Sequence, residues 1–205
     1  MYTFCVTYHV AVTYEDVPLD SAADLVDVTS AISASPRRVY IPRGGPLQFA
    51  YAVNPQDGSP VDVTSAISGA IAAHRLSGYP GEYTLMASGG MLHVVPAAAE
   101  GKDGERREIS ALMNESFTLP SERVTQVGPV LRAVLRAAGK SRGRQIVLAS
   151  PLPHQFEETP FPMESRPLSA RDWVSKALAA GGLEMSWLLL YDATFDNYVF
   201  TLYPI

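Results

Sequence analysis

The chain has 205 residues, 47% of them hydrophobic and 18% charged, with a formal net charge of -5. That balance is enough to build a core and excludes a disordered chain, which is poor in apolar residues and rich in uncompensated charge. Basic residues are scattered, with short clusters at Arg37-Arg38 and Arg142-Gly143-Arg144, which argues against the basic face that gives a nucleic-acid binder most of its affinity.

Residues 2–6 are β-like and carry the single cysteine, Cys5, expected as a buried inert thiol rather than a nucleophile. One cysteine excludes an internal disulfide framework and a multi-cysteine zinc site. Residues 10–14 alternate like a strand. Residues 20–33 have the length of a helix, although Val26, Val28, Thr29 and Ile32 are β-branched and stiff at χ1. Residues 38–41 and 47–53 read as strands. Asp62 can cap a better helix, striped by Val63, Ala66, Ile67, Ala70 and Ile71. Residues 82–87 and 91–95 then form a hairpin around Ser88-Gly89-Gly90.

Residues 97–107 combine small and charged side chains with two glycines, the composition of a linker or exposed loop. Beyond them a strand near residue 116 precedes a helix opened by Gly128-Pro129, since proline is tolerated in a first turn. Val130, Leu131, Val134, Leu135 and Ala138 line one face of that helix and Gly139 closes it. Residues 146–149 make a short strand, and residues 157–164 are expected extended, pushed toward an edge or loop by Pro160 and Pro162.

Ser169-Ala170-Arg171-Asp172 is a capping-box pattern. Ala170, Trp173, Val174, Ala177 and Leu178 follow at helical spacing, and Gly181-Gly182 ends the helix. Residues 183–191 and 198–203 form a closing hairpin around the turn at 192–197. The order from residue 116 is strand, helix, strand, strand, helix, strand, strand, and the first half reads the same way. The expectation is an α+β protein of two small βαββαββ modules, 1–97 and 110–205, with helices on small mixed sheets and a linker at 98–109.

A literal repeat complicates this division. Val26 to Ser33 reads VDVTSAIS, and so does Val61 to Ser68, only 35 residues on. Two explanations stay open: a duplicated smaller unit, or convergence on one helix-start sequence.

The second half carries Phe117-Thr118-Leu119-Pro120, the helix at 130–139, the Pro167-Leu168-Ser169-Ala170-Arg171-Asp172 entry, Ala179-Ala180-Gly181-Gly182-Leu183, Trp187 and the hairpin. In these features it resembles the short N-terminal domain of secretins and TonB-dependent receptors. The resemblance implies small βαβ units with helices packed on a little sheet, and contacts with other proteins in the periplasm. It covers about ninety residues as a pattern of hydrophobicity and turns, without a catalytic signature, and no barrel, pore or plug sequence follows.

No residue pattern declares a reaction. His9, His74, His93 and His154 lack the His-x-x-x-His spacing of two ligands on one helix face, so no metal and no cofactor is expected. His74 and His93 are expected in or at the core. His154 with Glu157 and Glu158 could form an acid/base group if held within hydrogen-bond reach, although adjacent carboxylates in a proline-bounded loop are more often solvated. Ser88-Gly89-Gly90 and Pro42-Arg43-Gly44-Gly45-Pro46 do not continue as phosphate-binding loops, and no Gly-x-Ser-x-Gly elbow is present. Trp187, Tyr191, Tyr198 and Tyr203 crowd the terminal hairpin, where exposed Tyr and Trp would favour recognition.

The expected function is a non-catalytic protein-interaction domain that binds another protein through a sheet edge or the aromatic hairpin. The alternative is a hydrolase-like enzyme with its site between the modules; a small-molecule carrier is a third reading that no motif supports. No window approaches the ~18 apolar residues of a membrane span, and no signal peptide is visible. A cytoplasmic protein and a mature exported chain both fit, with a periplasmic or secreted location the expectation.

Overall fold

The computed structural model describes residues 10–32, 38–45, 47–120, 125–149 and 151–205. Cys5 and its β-like run, His9, and Arg37 lie outside the described residues, as do Ser33 and Pro46.

One mixed sheet organises the molecule. At its centre is β1 (Val12–Glu15). The first half also supplies β2 (Leu25–Asp27), β3 (Tyr40–Pro42), helix α1 (Val63–Leu76), β4 (Glu82–Ser88), β5 (Met91–Glu100) and β6 (Arg106–Glu108). The second half supplies β7 (Ser116–Phe117), α2 (Val127–Ser141), β8 (Ile146–Leu148), α3 (His154–Glu158), β9 (Leu168–Ser169), α4 (Ala170–Ala180), β10 (Met185–Asp192) and β11 (Asn197–Pro204). Strand order is β4-β5-β1-β10-β11-β8, with β6 also on β5; β2-β3 and β7-β9 form separate two-stranded ribbons. β1 is parallel to both its neighbours, β5 and β10. A central strand flanked by parallel partners is covered on both faces, and Val12 and Thr13 accordingly have no exposed surface.

Alternation along β1 sends Val12 and Tyr14 to one face and Thr13 and Glu15 to the other. The first face packs under α1 with Ile67, Val94 and Tyr203. The second packs under α2 and α4, where Val130, Leu131, Val134 and Leu135 meet Trp173, Val174, Ala177 and Leu178 over Trp187, Leu189 and Phe200. Full burial of such side chains contributes about 1.5–3 kcal/mol each relative to exposure, and this second face holds most of the core.

The α+β class matches the expectation, and local signals place several elements. Ser169 Oγ accepts from Asp172 N at 3.0 Å and caps α4; Asp62 Oδ1 accepts from Thr64 N at 2.9 Å and caps α1. Gly182 takes a positive φ of 66° just after α4, the left-handed turn that a side chain would oppose.

Other expectations are corrected. The sheet takes strands from both sides of the expected 1–97 and 110–205 division, because β1 pairs with β10 as well as with β5. The expected linker at 98–109 is β-structure: β5 runs on to Glu100 and pairs with β6. Residues 20–32 are not a helix but two 3-10 turns, Ala22–Asp24 and Thr29–Ala31, around β2, as the β-branched run favours. Residues 47–53 contribute only an isolated bridge, Val53 to Pro60. Residues 157–164 begin in α3 rather than in a strand, and Pro160 makes a lone bridge to Gln126.

Candidate binding site

The four hairpin aromatics expected at a contact face are interior residues. Trp187 is 0% exposed, Tyr198 3%, Tyr203 5% and Tyr191 8%. The Trp187 ring stacks on Phe200 at 5.7 Å between centroids, and the Tyr203 hydroxyl donates to Val12 O at 3.0 Å. The strands that hold them lie inside the sheet, flanked by β1 and β8, so the outward-facing aromatic surface does not form. Nor do the candidate acid/base residues assemble a site. His154 and Glu158 side chains are 87% and 75% exposed on α3, 3.8 Å apart. Glu157 is held bidentate by Arg132, with both oxygens at 2.6 Å. That ion pair holds the Glu157 carboxyl below the usual carboxylate range by hydrogen bonding, which suits a fixed charge and not a proton acceptor.

Beneath α4 lies a buried polar layer that the sequence does not announce. Arg171 Nη2 donates to Glu15 Oε2 at 2.7 Å, with the two side chains 2% and 1% exposed. The other Glu15 oxygen accepts from Leu112 N at 2.5 Å and Met113 N at 3.2 Å. Burial pushes the Glu15 carboxyl up, against the pull of Arg171 and these amides toward the charged form. Arg171 also donates to Asn114 at 3.2 Å and lies 5.2 Å from the centre of the Trp187 ring. Next to them His93, fully buried, sits 2.6 Å from Thr13 Oγ1 and 3.0 Å from Ser88 Oγ. Both ring nitrogens are engaged, so His93 is a core histidine, as expected. Burial, reinforced by Arg171, lowers it to about 4.

Two features face outward. The first is the β4 side of the sheet. Among the described residues β4 pairs only with β5, so one side of a seven-residue strand keeps its backbone donors and acceptors unpaired within the sheet. Tyr83 and Leu85 turn toward α1. Thr84 and Met86 turn the other way, onto an open groove of about 370 Å³ whose walls include Val95, Arg106, Glu108 and Ile109. Met86 is 40% exposed.

The second is a more enclosed cavity of about 160 Å³ at the carboxyl end of β1, lined by Glu15, Asp16, Ser110, Arg142, Arg144 and Tyr198 among others. The carboxyl ends of parallel strands are where open α/β sheets place ligands. Here β1 ends, β11 begins and the chain leaving α2 turns in, bringing Arg142 and Arg144 to the same rim. Arg142 Nε donates to Glu115 at 2.8 Å. Arg144 pairs with Asp20 at 3.0 Å and with Asp196, and donates to the Tyr191 hydroxyl at 2.7 Å. Asp16 accepts from the Tyr14 hydroxyl at 2.5 Å and from Tyr191 N at 3.0 Å. Burial raises the Asp16 carboxyl above its ordinary value, and raises the Tyr198 phenol as well.

Of these residues the sequence reading singled out Tyr198 and the Arg142-Gly143-Arg144 cluster, but not their meeting. Glu15-Asp16 carried a usable signal: two carboxylates closing a strand of otherwise core character. Among the described residues no group of three or more His, Cys, Asp or Glu is placed to hold a metal ion, and no helix is long and apolar enough to cross a membrane. Comparison with known proteins gives no match: no family model fits the chain, and no curated protein or solved structure matches it.

Proposed function

We propose that this protein is a non-catalytic protein-interaction domain that takes an extended segment of a partner chain onto the free side of β4. The observation that carries the reading is the unpaired seven-residue edge beside an open groove. An added strand gains its affinity from main-chain hydrogen bonds and its selectivity from pockets for alternate side chains. β4 offers the first along its free side, and Thr84 and Met86 border a groove on the adjoining sheet face. Natural sheets blunt free edges with charge; between Glu82 and Ser88 this strand is uncharged.

The resemblance of residues 110–205 to a domain that contacts proteins in the periplasm supports the same reading and an envelope or secreted setting. The test is affinity capture from the producing cells with three forms: wild type, Met86→Lys and Leu76→Lys. Leu76 is 88% exposed at the last position of α1. The expected result is a partner retained by wild type and Leu76→Lys and reduced about tenfold or more by Met86→Lys, the scale of a charge forced onto a paired interface. Equal retention by both variants would overturn the proposal.

A further inference from the structure

The free side of β4 resolves into individual backbone groups. Leu92 N donates to Ala11 O at 2.9 Å, so the backbone of Leu92 bonds the chain entering β1. Leu92 stands opposite Ala87, and in an antiparallel pair a residue that bonds away from its partner faces one that does the same. The backbone groups of Ala87 therefore point sideways, away from β5. Alternation sends those of Leu85 and Tyr83 the same way, while Thr84, Met86 and Ser88 bond β5. Pro96, which has no N–H to give, stands opposite Tyr83, where the ladder asks for no bond. Among the described residues no loop or turn backbone bonds Tyr83, Leu85 or Ala87.

These three positions are symmetric about Leu85. A two-fold axis there sets Leu85 against Leu85 of a second copy and Tyr83 against Ala87, so every outward group finds a partner. Sliding the pairing by two residues either way sets Tyr83 or Ala87 beyond the end of the other strand. The side chains agree with this register. Bulky Tyr83 meets small Ala87, leucine meets leucine on the α1 face, and Thr84 meets Met86 on the groove face; cross-strand pairs of this kind add to the main-chain bonds. Charge agrees as well. The strand is uncharged between Glu82 and Ser88, and Glu82 is held by Arg106 of its own chain at 2.6 Å. The axis sets Glu82 opposite Ser88, so like charges do not meet. An edge without such a block is a template for another strand, and two-fold pairing of one surface with itself is the commonest way protein chains assemble.

We propose that the strand taken up by β4 is the β4 of a second copy, the two sheets continuing into one across a two-fold axis at Leu85. The proposal rests on the reading of β4 as the partner-binding edge and names the partner.

The experiment is sedimentation velocity of the full chain over a series of concentrations, for wild type and Ala87→Pro. Ala87 is exposed, and proline there removes an outward donor and no bond to β5. Wild type is expected in a monomer–dimer equilibrium. Ala87→Pro is expected to raise the dissociation constant about tenfold or more, since each copy loses one hydrogen bond. The register is read by cysteine pairing in a Cys5→Ser background, because the axis makes Thr84 and Met86 a closely spaced pair within disulfide reach. Oxidation of a mixture of Thr84→Cys and Met86→Cys chains is expected to give a linked dimer, and neither chain alone to give one. A monomer at every concentration, a dissociation constant unchanged by Ala87→Pro, or no excess of linked dimer in the mixture would overturn the proposal. A monomer that still captures a different protein, with capture reduced by Met86→Lys, would overturn self-pairing and leave strand addition standing. Equal capture by Met86→Lys and Leu76→Lys would instead overturn the reading of the edge itself.

Discussion

Buried His93 shows how one residue sets a property of the fold. Its side chain is enclosed between Thr13, Ser88 and Trp187, and burial lowers its pKa from 6.5 to about 4. Below pH 6.5 the unfolded chain therefore takes up a proton that the folded chain refuses. Stability from neutral His93 is fully present above that value and declines as pH falls from 6.5 toward 4. Glu15 and Asp16, both raised by burial, act in the opposite direction. The His93 contribution is thus read as the difference between wild type and His93→Gln. Urea midpoints at pH 7.5 and pH 5 should fall further in wild type than in the variant; equal falls would show that His93 is not the group responsible. The position of His93 in a hairpin strand beside Val94 and Val95 made a core role legible in the sequence. Its contact with Thr13 was not, because that residue lies 80 positions away.

At the scale of elements, what the sequence revealed is what neighbouring residues decide. The caps of α1 and α4 are contacts across two or three positions, so pattern was sufficient to find them. The VDVTSAIS repeat marks the limit of such reasoning. Both copies make the same local bond, Thr29 N to Asp27 and Thr64 N to Asp62, each at 2.9 Å. The second copy continues into α1, while the first holds a strand pairing and one 3-10 turn. Pro36 follows the first copy closely, whereas Gly69-Ala70-Ile71 extends the apolar stripe of the second. Proline opposes helix propagation, and the different continuations separate two identical starts. The end of α2 offers a test at this scale. A Cβ on Gly139 would stand 2.5 Å from the Arg144 carbonyl oxygen, so the glycine lets the chain turn back against the helix and deliver Arg142 and Arg144 to the cavity rim. Gly139→Val is expected to destabilise the protein by about 1–3 kcal/mol, the range for overpacking, measured by denaturant unfolding. An unchanged midpoint would contradict the close approach.

For the whole molecule, the decisive feature is the place of β1. Four residues near the start of the chain lie between β5 and β10 and bring both halves into one sheet. Alternation predicted a strand there, but strand order depends on partners about 80 and 174 residues away, and no local pattern encodes that. The same arrangement explains the misplaced aromatic face: the terminal hairpin is an interior part of the sheet and not its border. Among the described residues the strand order ends at β4 and β8, with the three-residue β6 a further strand of one partner, and the two ends differ. β4 is seven residues long and faces a groove, while β8 has three residues, a length that limits strand addition. Partner recognition should therefore reside on one edge only. The most direct measurement is photo-crosslinking in the producing cells, with a photoreactive residue placed in turn at Met86 on β4 and at Val147 on β8, which are 40% and 38% exposed. A discrete protein adduct is expected from Met86 and none from Val147; adducts from Val147 alone, or none from Met86, would contradict strand addition at β4.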